Sequence, residues 1–109
     1  MRVIAGSAKG RKLKTLEGMD VRPTTDKVKE AIFSSIQFQI PGAVVLDLFA
    51  GSGQMGIEAI SRGAQKVSFV DRSAKSLQVT RENLEALHFM EQAQLSQTDA
   101  ASFLRTAAQ

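Results

Sequence analysis

Residues 46–56 read LDLFAGSGQMG. They close an apolar run, Ala43–Phe49 (AVVLDLF), in which a carboxylate, Asp47, sits at the tip. The run is continuously apolar, as the strands of parallel sheets are. Gly51, Gly53 and Gly56 follow in G-x-G-x-x-G spacing, and Gln54–Arg62 then reads as a helix closed by Gly63 at its C′ position. Glycine lets a backbone approach a ligand where any Cβ would intervene. Strand, glycine turn and helix in that order are the context a nucleotide turn requires. A second carboxylate, Asp71, ends the next apolar run, Lys66–Asp71 (KVSFVD), 20 residues after Gly51. That spacing suits an acid that accepts hydrogen bonds from both hydroxyls of a ribose. The competing reading is a tight turn that only packs, and it leaves the distal acid unexplained.

The β–α alternation continues outward from this unit. Ser73 caps a helix that runs to Leu87 and carries Leu77, Leu84 and Leu87 on one face. Gln94–Gln97 is a short third strand and Ala100–Ala107 a last helix. Successive β–α units imply right-handed crossovers, so the expected class is α/β with a parallel sheet. Upstream, Arg2–Gly6 and Arg11–Thr15 read as a basic hairpin whose connection uses Gly6 and Gly10 at positive φ. From Asp26 to about Phe38, Val28, Ala31, Ile32 and Ile36 recur at helical spacing. Phe33, Phe38, Phe49 and Phe69 fall on apolar patterns and read as core, and His88 as a surface or capping residue.

Composition is that of an ordinary globular chain: 109 residues, 43% hydrophobic and 23% charged. The chain has no cysteine, which excludes disulfides and thiolate metal sites and favours a cytoplasmic location. No run approaches a membrane span, and MRVIAGSAKGRK lacks the apolar core of a signal peptide. The net charge of +3 is unevenly placed, since residues 1–29 hold eight Lys or Arg against three acids. A basic N-terminal stretch on a mildly acidic body suggests a polyanion held at one end, with a merely solvated surface as the alternative.

Asp47 separates two candidate nucleotides. A dinucleotide sets a pyrophosphate against the glycine turn, and a carboxylate at the strand tip repels it. S-adenosylmethionine has no phosphate and carries an ammonium and a sulfonium, which the same carboxylate attracts. That difference of sign is worth on the order of a few kcal/mol at partly screened distances. Asp99 follows the third strand, where it can accept from an adenine amino group, cap the last helix, or both.

DLFAGSGQMGIEAISRGA followed by VDRS resembles the cofactor motifs of class I S-adenosylmethionine-dependent methyltransferases. RVIAGSAKGRKL and RPTTDKVKEAIFSSI resemble the N-terminal signature of the bacterial 16S rRNA (guanine-N2)-methyltransferase family. The resemblance implies a Rossmann-like sheet over residues 41–109, preceded by a basic hairpin arm (1–22) and an N-terminal helix (23–40). It implies that Asp47, Gly51 and Gly53 line the methionine and ribose side of the cofactor. Asp71 would hold the ribose, Arg72 would lie beside the adenine, and Asp99 and the Ala100 backbone would meet its edge. Arg22 and Thr24 would lie near the methionine end, unless Thr24 or Thr25 only caps the helix. Lys9, Arg11, Lys12 and Lys14 would contact RNA phosphates. The implied partner is 16S ribosomal RNA or an assembling small subunit, with no metal and no membrane.

One departure stands out. The family carries an Asn- or Asp-Pro-Pro-aromatic motif after its fourth strand, where it orients the flipped guanine amine. Here the two prolines, Pro23 and Pro41, are isolated and tyrosine is absent. No residue of this chain is therefore expected to be catalytic, and the chain alone is expected to be an inactive N-terminal portion. Its C-terminal strands would be missing, leaving the first strand as an apolar edge open to strand exchange between copies. Two other functions stay open on sequence: an RNA-binding module without chemistry, and an NAD-dependent oxidoreductase.

Overall fold

The structure, a computed structural model, describes residues 1–16 and 26–107. Among them the order is α1 (Asp26–Ile36), β1 (Val44–Asp47), α2 (Gln54–Ser61), β2 (Lys66–Asp71), α3 (Ala74–Ala86), a 3-10 turn at Met90–Gln92, β3 (Ala93–Gln97) and α4 (Ala100–Ala107). The strands form one parallel sheet in the order β1-β2-β3, with Val45 opposite Val67 and Phe69 opposite Leu95. The class and topology are those the alternation implies. No described helix is long and apolar enough to cross a membrane.

β2 is central, and its Val67, Phe69 and Val70 are fully buried. β1 is shorter than the run Ala43–Phe49 and barer than its buried-strand composition suggests, and it lies at the open edge expected for the first strand. Its four residues alternate between exposed and half-buried, Val44 is 73% exposed, and Phe49 just beyond is 80% exposed. The reason is position: β1 pairs only with β2 among the described residues, so its far edge is open. Phe38, at 92% exposure, likewise lies outside the core, whereas Phe33 and Phe69 lie in it as expected. Ile32, Ile36, Val45, Leu46 and Met55, with Asp47 among the lining residues, form an apolar groove of about 190 Å³.

The hairpin reduces to a single antiparallel bridge, Arg2 with Lys12, supported by Val3 N–H to Arg11 O (2.9 Å) and Leu13 N–H to Met1 O (3.0 Å). Two full strands do not form because the helices take the hairpin's other backbone groups. Ile4 and Ala5 donate to the Glu58 carboxylate at 2.8 and 3.0 Å. Ala8 N–H donates to Ser61 Oγ at 2.9 Å, and that hydroxyl donates to Ala5 O at 2.7 Å. Gly6 and Gly10 do take positive φ, +88° and +84°. A Cβ at Gly6 would land on the Ser61 carbonyl, so glycine is what lets this loop lie on α2. Val3, Ala8 and Leu13 enter the core.

α1 is rotated from the face its apolar stripe suggests. Val28 and Ile32 are half exposed, and the buried residues are Phe33 and Lys29. Lys29 is drawn inward by charge and hydrogen bonding. Its Nζ donates to Arg2 O at 2.7 Å and stands 3.6 Å from Glu58 Oε1, with both side chains at 0% exposure. Arg62 Nε closes the cluster at 2.8 Å from Glu58 Oε2, and its guanidinium lies 4.9 Å from the centre of the Phe33 ring. Lys29 therefore leaves the basic surface of the N-terminal stretch and becomes part of the core.

α2 and α3 end in the same way. Gly63 (φ +105°) and His88 (φ +61°) are the left-handed C′ residues, and Ala64 and Phe89 donate back to Ala59 O (3.0 Å) and Leu84 O (2.8 Å). His88 has the capping place read for it, in a conformation that glycine adopts more readily.

Candidate functional site

The glycine turn is fixed at both ends by backbone bonds. Ala50 N–H donates to Val70 O at 3.1 Å, which ties the turn to β2, and Gly53 N–H donates to Ala50 O at 2.7 Å. Ile57 N–H then donates to Gly53 O at 2.9 Å and starts α2. The carbonyls between are held from α3, where Thr80 Oγ1 donates to Gly51 O at 2.7 Å and Asn83 Nδ2 to Ser52 O at 2.9 Å.

The three glycines serve different ends. Gly51 (φ +56°) is the least crowded of the three: among the described residues a Cβ there would meet Leu16 Cδ1, at 3.9 Å. Gly53 (φ +86°) turns inward, and a Cβ there would come within 2.8 Å of the Thr80 methyl carbon. Gly56 has no positive φ, but a Cβ would collide with the Phe69 ring and reach 2.9 Å from Val67 Cγ1. Gly51 thus leaves room above the turn among the described residues, while Gly56 seats α2 on the sheet.

Two carboxylates stand at the strand ends beside this turn. Asp47 Oδ2 accepts from Gly56 N–H at 3.2 Å. Burial pushes the Asp47 carboxyl above the usual carboxylate range, bonds from the Gly56 and Phe49 backbones oppose this, and the Asp71 charge adds to the rise. A cation placed here would relieve both the burial and the repulsion. Asp71 accepts one N–H on each oxygen, from Gly51 and from Ser73, both at 2.9 Å. Each carboxylate oxygen can accept a second bond, so the side chain retains capacity for a diol.

Asp99 caps α4, accepting from the N–H and the hydroxyl of Ser102, both at 2.8 Å. Those two bonds hold its carboxyl below the usual range. Ala100 follows it, half-buried, and Arg72 is exposed next to Asp71. Arg22 and Thr24 lie outside the described residues. Lys9, Arg11, Lys12 and Lys14 are all exposed. Two of them are also tied to α3: Arg11 Nη2 donates to Ala86 O at 3.2 Å, and Lys14 Nζ lies 3.1 Å from Glu82 Oε2. The site thus brings Asp47, Gly51, Gly53 and Asp71 together at the ends of β1 and β2.

Thr80, Asn83 and Glu58 carry structural weight that sequence reading misses. Thr80 and Asn83 are three apart on a helix face otherwise occupied by Leu77 and Leu84, and a polar pair on an apolar face is the available signal. Glu58 offers the same signal inside the apolar stretch GIEAI.

The profile of the family described as "Conserved hypothetical protein 95" matches residues 1–109. The chain is 52% identical over 108 residues to YlbH of Bacillus subtilis, covering 99% of this chain and 59% of that protein. It is 40% identical over 106 residues to "Ribosomal RNA small subunit methyltransferase D" of Haemophilus influenzae, covering 96% of this chain and 55% of that one. Among solved structures, yhhF from Escherichia coli matches with a TM-score of 0.84 at 36% identity, over 95% of this chain and 55% of that chain. An RNA methyltransferase from Salinibacter ruber, solved with S-adenosyl-L-homocysteine, matches with a TM-score of 0.65 over 72% of this chain and 51% of that chain. At 18% identity that last likeness is one of fold alone. The chain spans a little over half the length of the curated relatives named here. With a parallel sheet, a glycine turn at its edge and a match that runs its whole length, this chain belongs to the Conserved hypothetical protein 95 family, alongside the ribosomal RNA small subunit methyltransferases D.

Proposed function

We propose that the protein carrying this chain methylates the exocyclic N2 of a guanine in 16S ribosomal RNA, with S-adenosylmethionine as methyl donor. The relatives' names support the rRNA methyltransferase part of this reading. One observation carries the choice of cofactor: a half-buried carboxylate, Asp47, sits beside a glycine turn whose Gly51 is uncrowded among the described residues. When bound, S-adenosylmethionine supplies a methyl group activated by its sulfonium.

The chain's own residues bind and orient. Asp47 meets the positive charge of the methionine end, and an ion pair relieves the cost of its burial. Asp71 offers a second lone pair on each oxygen to the ribose hydroxyls. Asp99 and the Ala100 backbone receive the adenine edge beside Arg72, with Arg22 and Thr24 assigned to the methionine end. Lys9, Arg11, Lys12 and Lys14 hold RNA phosphates, which sets substrate position without reading sequence. Orientation of the guanine amine falls to the family's Pro-Pro-aromatic motif, which none of these 109 residues forms.

Calorimetric titration of this chain tests the reading. S-adenosylmethionine should bind and NAD should not. Asp71→Ala should abolish cofactor binding and leave RNA affinity unchanged. Binding of NAD in place of S-adenosylmethionine would refute the proposal. RNA binding with no affinity for either nucleotide would favour a module without chemistry.

A further inference from the structure

Asn83 is a buried side chain whose amide joins the two surfaces assigned above. Its Oδ1 accepts from Lys14 N–H at 2.7 Å, and its Nδ2 donates to Lys14 O at 3.2 Å and to Ser52 O at 2.9 Å. A side-chain amide has two N–H donors, and both are spent here, one on the basic arm and one on the glycine turn. The amide thus pairs with Lys14 as a neighbouring strand would, while holding the turn's second carbonyl. Two further contacts join the same parts: Ser52 Oγ donates to Met1 Sδ at 3.7 Å, and, among the described residues, Leu16 Cδ1 is the atom that a Cβ at Gly51 would meet, at 3.9 Å.

We propose that Asn83 is a positioning residue that couples RNA on the basic arm to cofactor affinity at the glycine turn. The proposal rests on the function argued above. Lys14 cannot shift on its own, because its movement breaks two bonds and strands a buried amide group. Phosphates that order the arm therefore order the turn as well, and a filled turn holds the arm. The effect is reciprocal by linkage and needs ordering only, not a second fold. Thr80 is the built-in control, since it holds Gly51 O at 2.7 Å and, among the described residues, makes no hydrogen bond to the arm.

The test is calorimetry on the protein that carries this chain, titrating S-adenosylmethionine with and without a saturating short RNA duplex. RNA should tighten cofactor binding by about fivefold or more. Asn83→Asp keeps the acceptor for Lys14 N–H but sets an oxygen against the Lys14 and Ser52 carbonyls. The RNA-induced gain should fall to about onefold, the typical coupling of 5–150-fold being lost. Thr80→Val should weaken cofactor binding and leave the gain intact, a contrast that loss of stability alone does not produce. If Asn83→Asp fails to fold, the wild-type protein still decides: RNA must shift the Gly51 and Gly53 amide resonances. A wild-type protein that binds both ligands without mutual effect overturns the coupling and leaves the proposed function standing. Absence of any S-adenosylmethionine binding overturns the function and the coupling with it.

Discussion

Glu58→Ala should be the most damaging single change in the described core. The wild-type carboxylate accepts from Ile4 N–H (2.8 Å), Ala5 N–H (3.0 Å) and Arg62 Nε (2.8 Å), and lies 3.6 Å from Lys29 Nζ. Removing it strands two part-buried backbone N–H groups, at about 1–3 kcal/mol each to the extent that water stays excluded. It also leaves the Lys29 ammonium fully buried with Arg2 O, at 2.7 Å, as its one remaining partner among the described residues. Breaking a buried ion pair from one side costs about 3–5 kcal/mol, and the two effects overlap. The expected loss is about 4 kcal/mol, against a total stability of about 5–15 kcal/mol for a domain. Lys29→Met is the informative contrast. There Glu58 keeps Arg62 and both N–H donors while the methionine fills most of the volume, so the loss should be about 1–2 kcal/mol. The double variant Lys29→Met/Glu58→Ala should cost less than Glu58→Ala alone, because the fully buried Lys29 charge is gone, while Arg62, 15% exposed, loses its carboxylate partner in both. Urea unfolding measures all three, and hydrogen exchange at Ile4 and Ala5 reports whether the hairpin detaches first. A Glu58→Ala loss under about 1 kcal/mol, or one no larger than that of Lys29→Met, would refute the reasoning.

Gly56→Ala should destabilise despite the better helix former. The propensity gain of about 1 kcal/mol is outweighed by about 1–3 kcal/mol of overpacking against Phe69 and Val67, and a rise in melting temperature would contradict this. His88→Gly should stabilise by about 0.5–1 kcal/mol in urea unfolding, because the residue already sits at φ +61° and glycine removes that strain at some unfolded-state entropy cost. Asp47→Asn should separate stability from binding. A carboxyl raised by folding favours the folded state below its unfolded value of 3.8, and that advantage disappears as pH rises through the folded value. The variant should therefore melt higher than wild type at neutral pH, converge with it in acid, and lose S-adenosylmethionine affinity in calorimetry. Asp99 has the opposite sign: its lowered carboxyl favours folding above the unfolded value of 3.8, so helicity in α4 should be lost only as pH falls through the lowered value. Circular dichroism across that range checks it.

The local chain signals were strong where chemistry is local. β2 runs Lys66–Asp71 as read, α2 ends before Gly63, Ser73 Oγ accepts from Ser76 N–H at 3.1 Å as an N-cap, and α4 begins after Asp99. A cap, a left-handed glycine or a strand-to-turn change is set by a few neighbouring residues, so it can be read from them. The glycine turn with Asp47 and Asp71 was legible for the same reason, since its parts recur at fixed spacing along the chain.

Burial could not be read in this way, because it depends on which elements meet. AVVLDLF has the composition of a buried strand, and although an open edge was expected for the first strand, only the folded sheet shows that Val44 and Phe49 are the residues left exposed. Lys29 looked like one more cation of a basic arm, until Glu58, 29 residues further on, paired with it in the core. Asn83 receives no reading from the sequence, because its partners lie 69 and 31 residues away. The sequence by itself determined the order of the elements, the turn and its acids, because their signals are short-range. Only the tertiary structure decided which face of α1 is buried, how the hairpin's backbone bonds are satisfied, and that one amide joins the arm to the turn. Those outcomes depend on desolvation and hydrogen bonding between segments that no local pattern brings together.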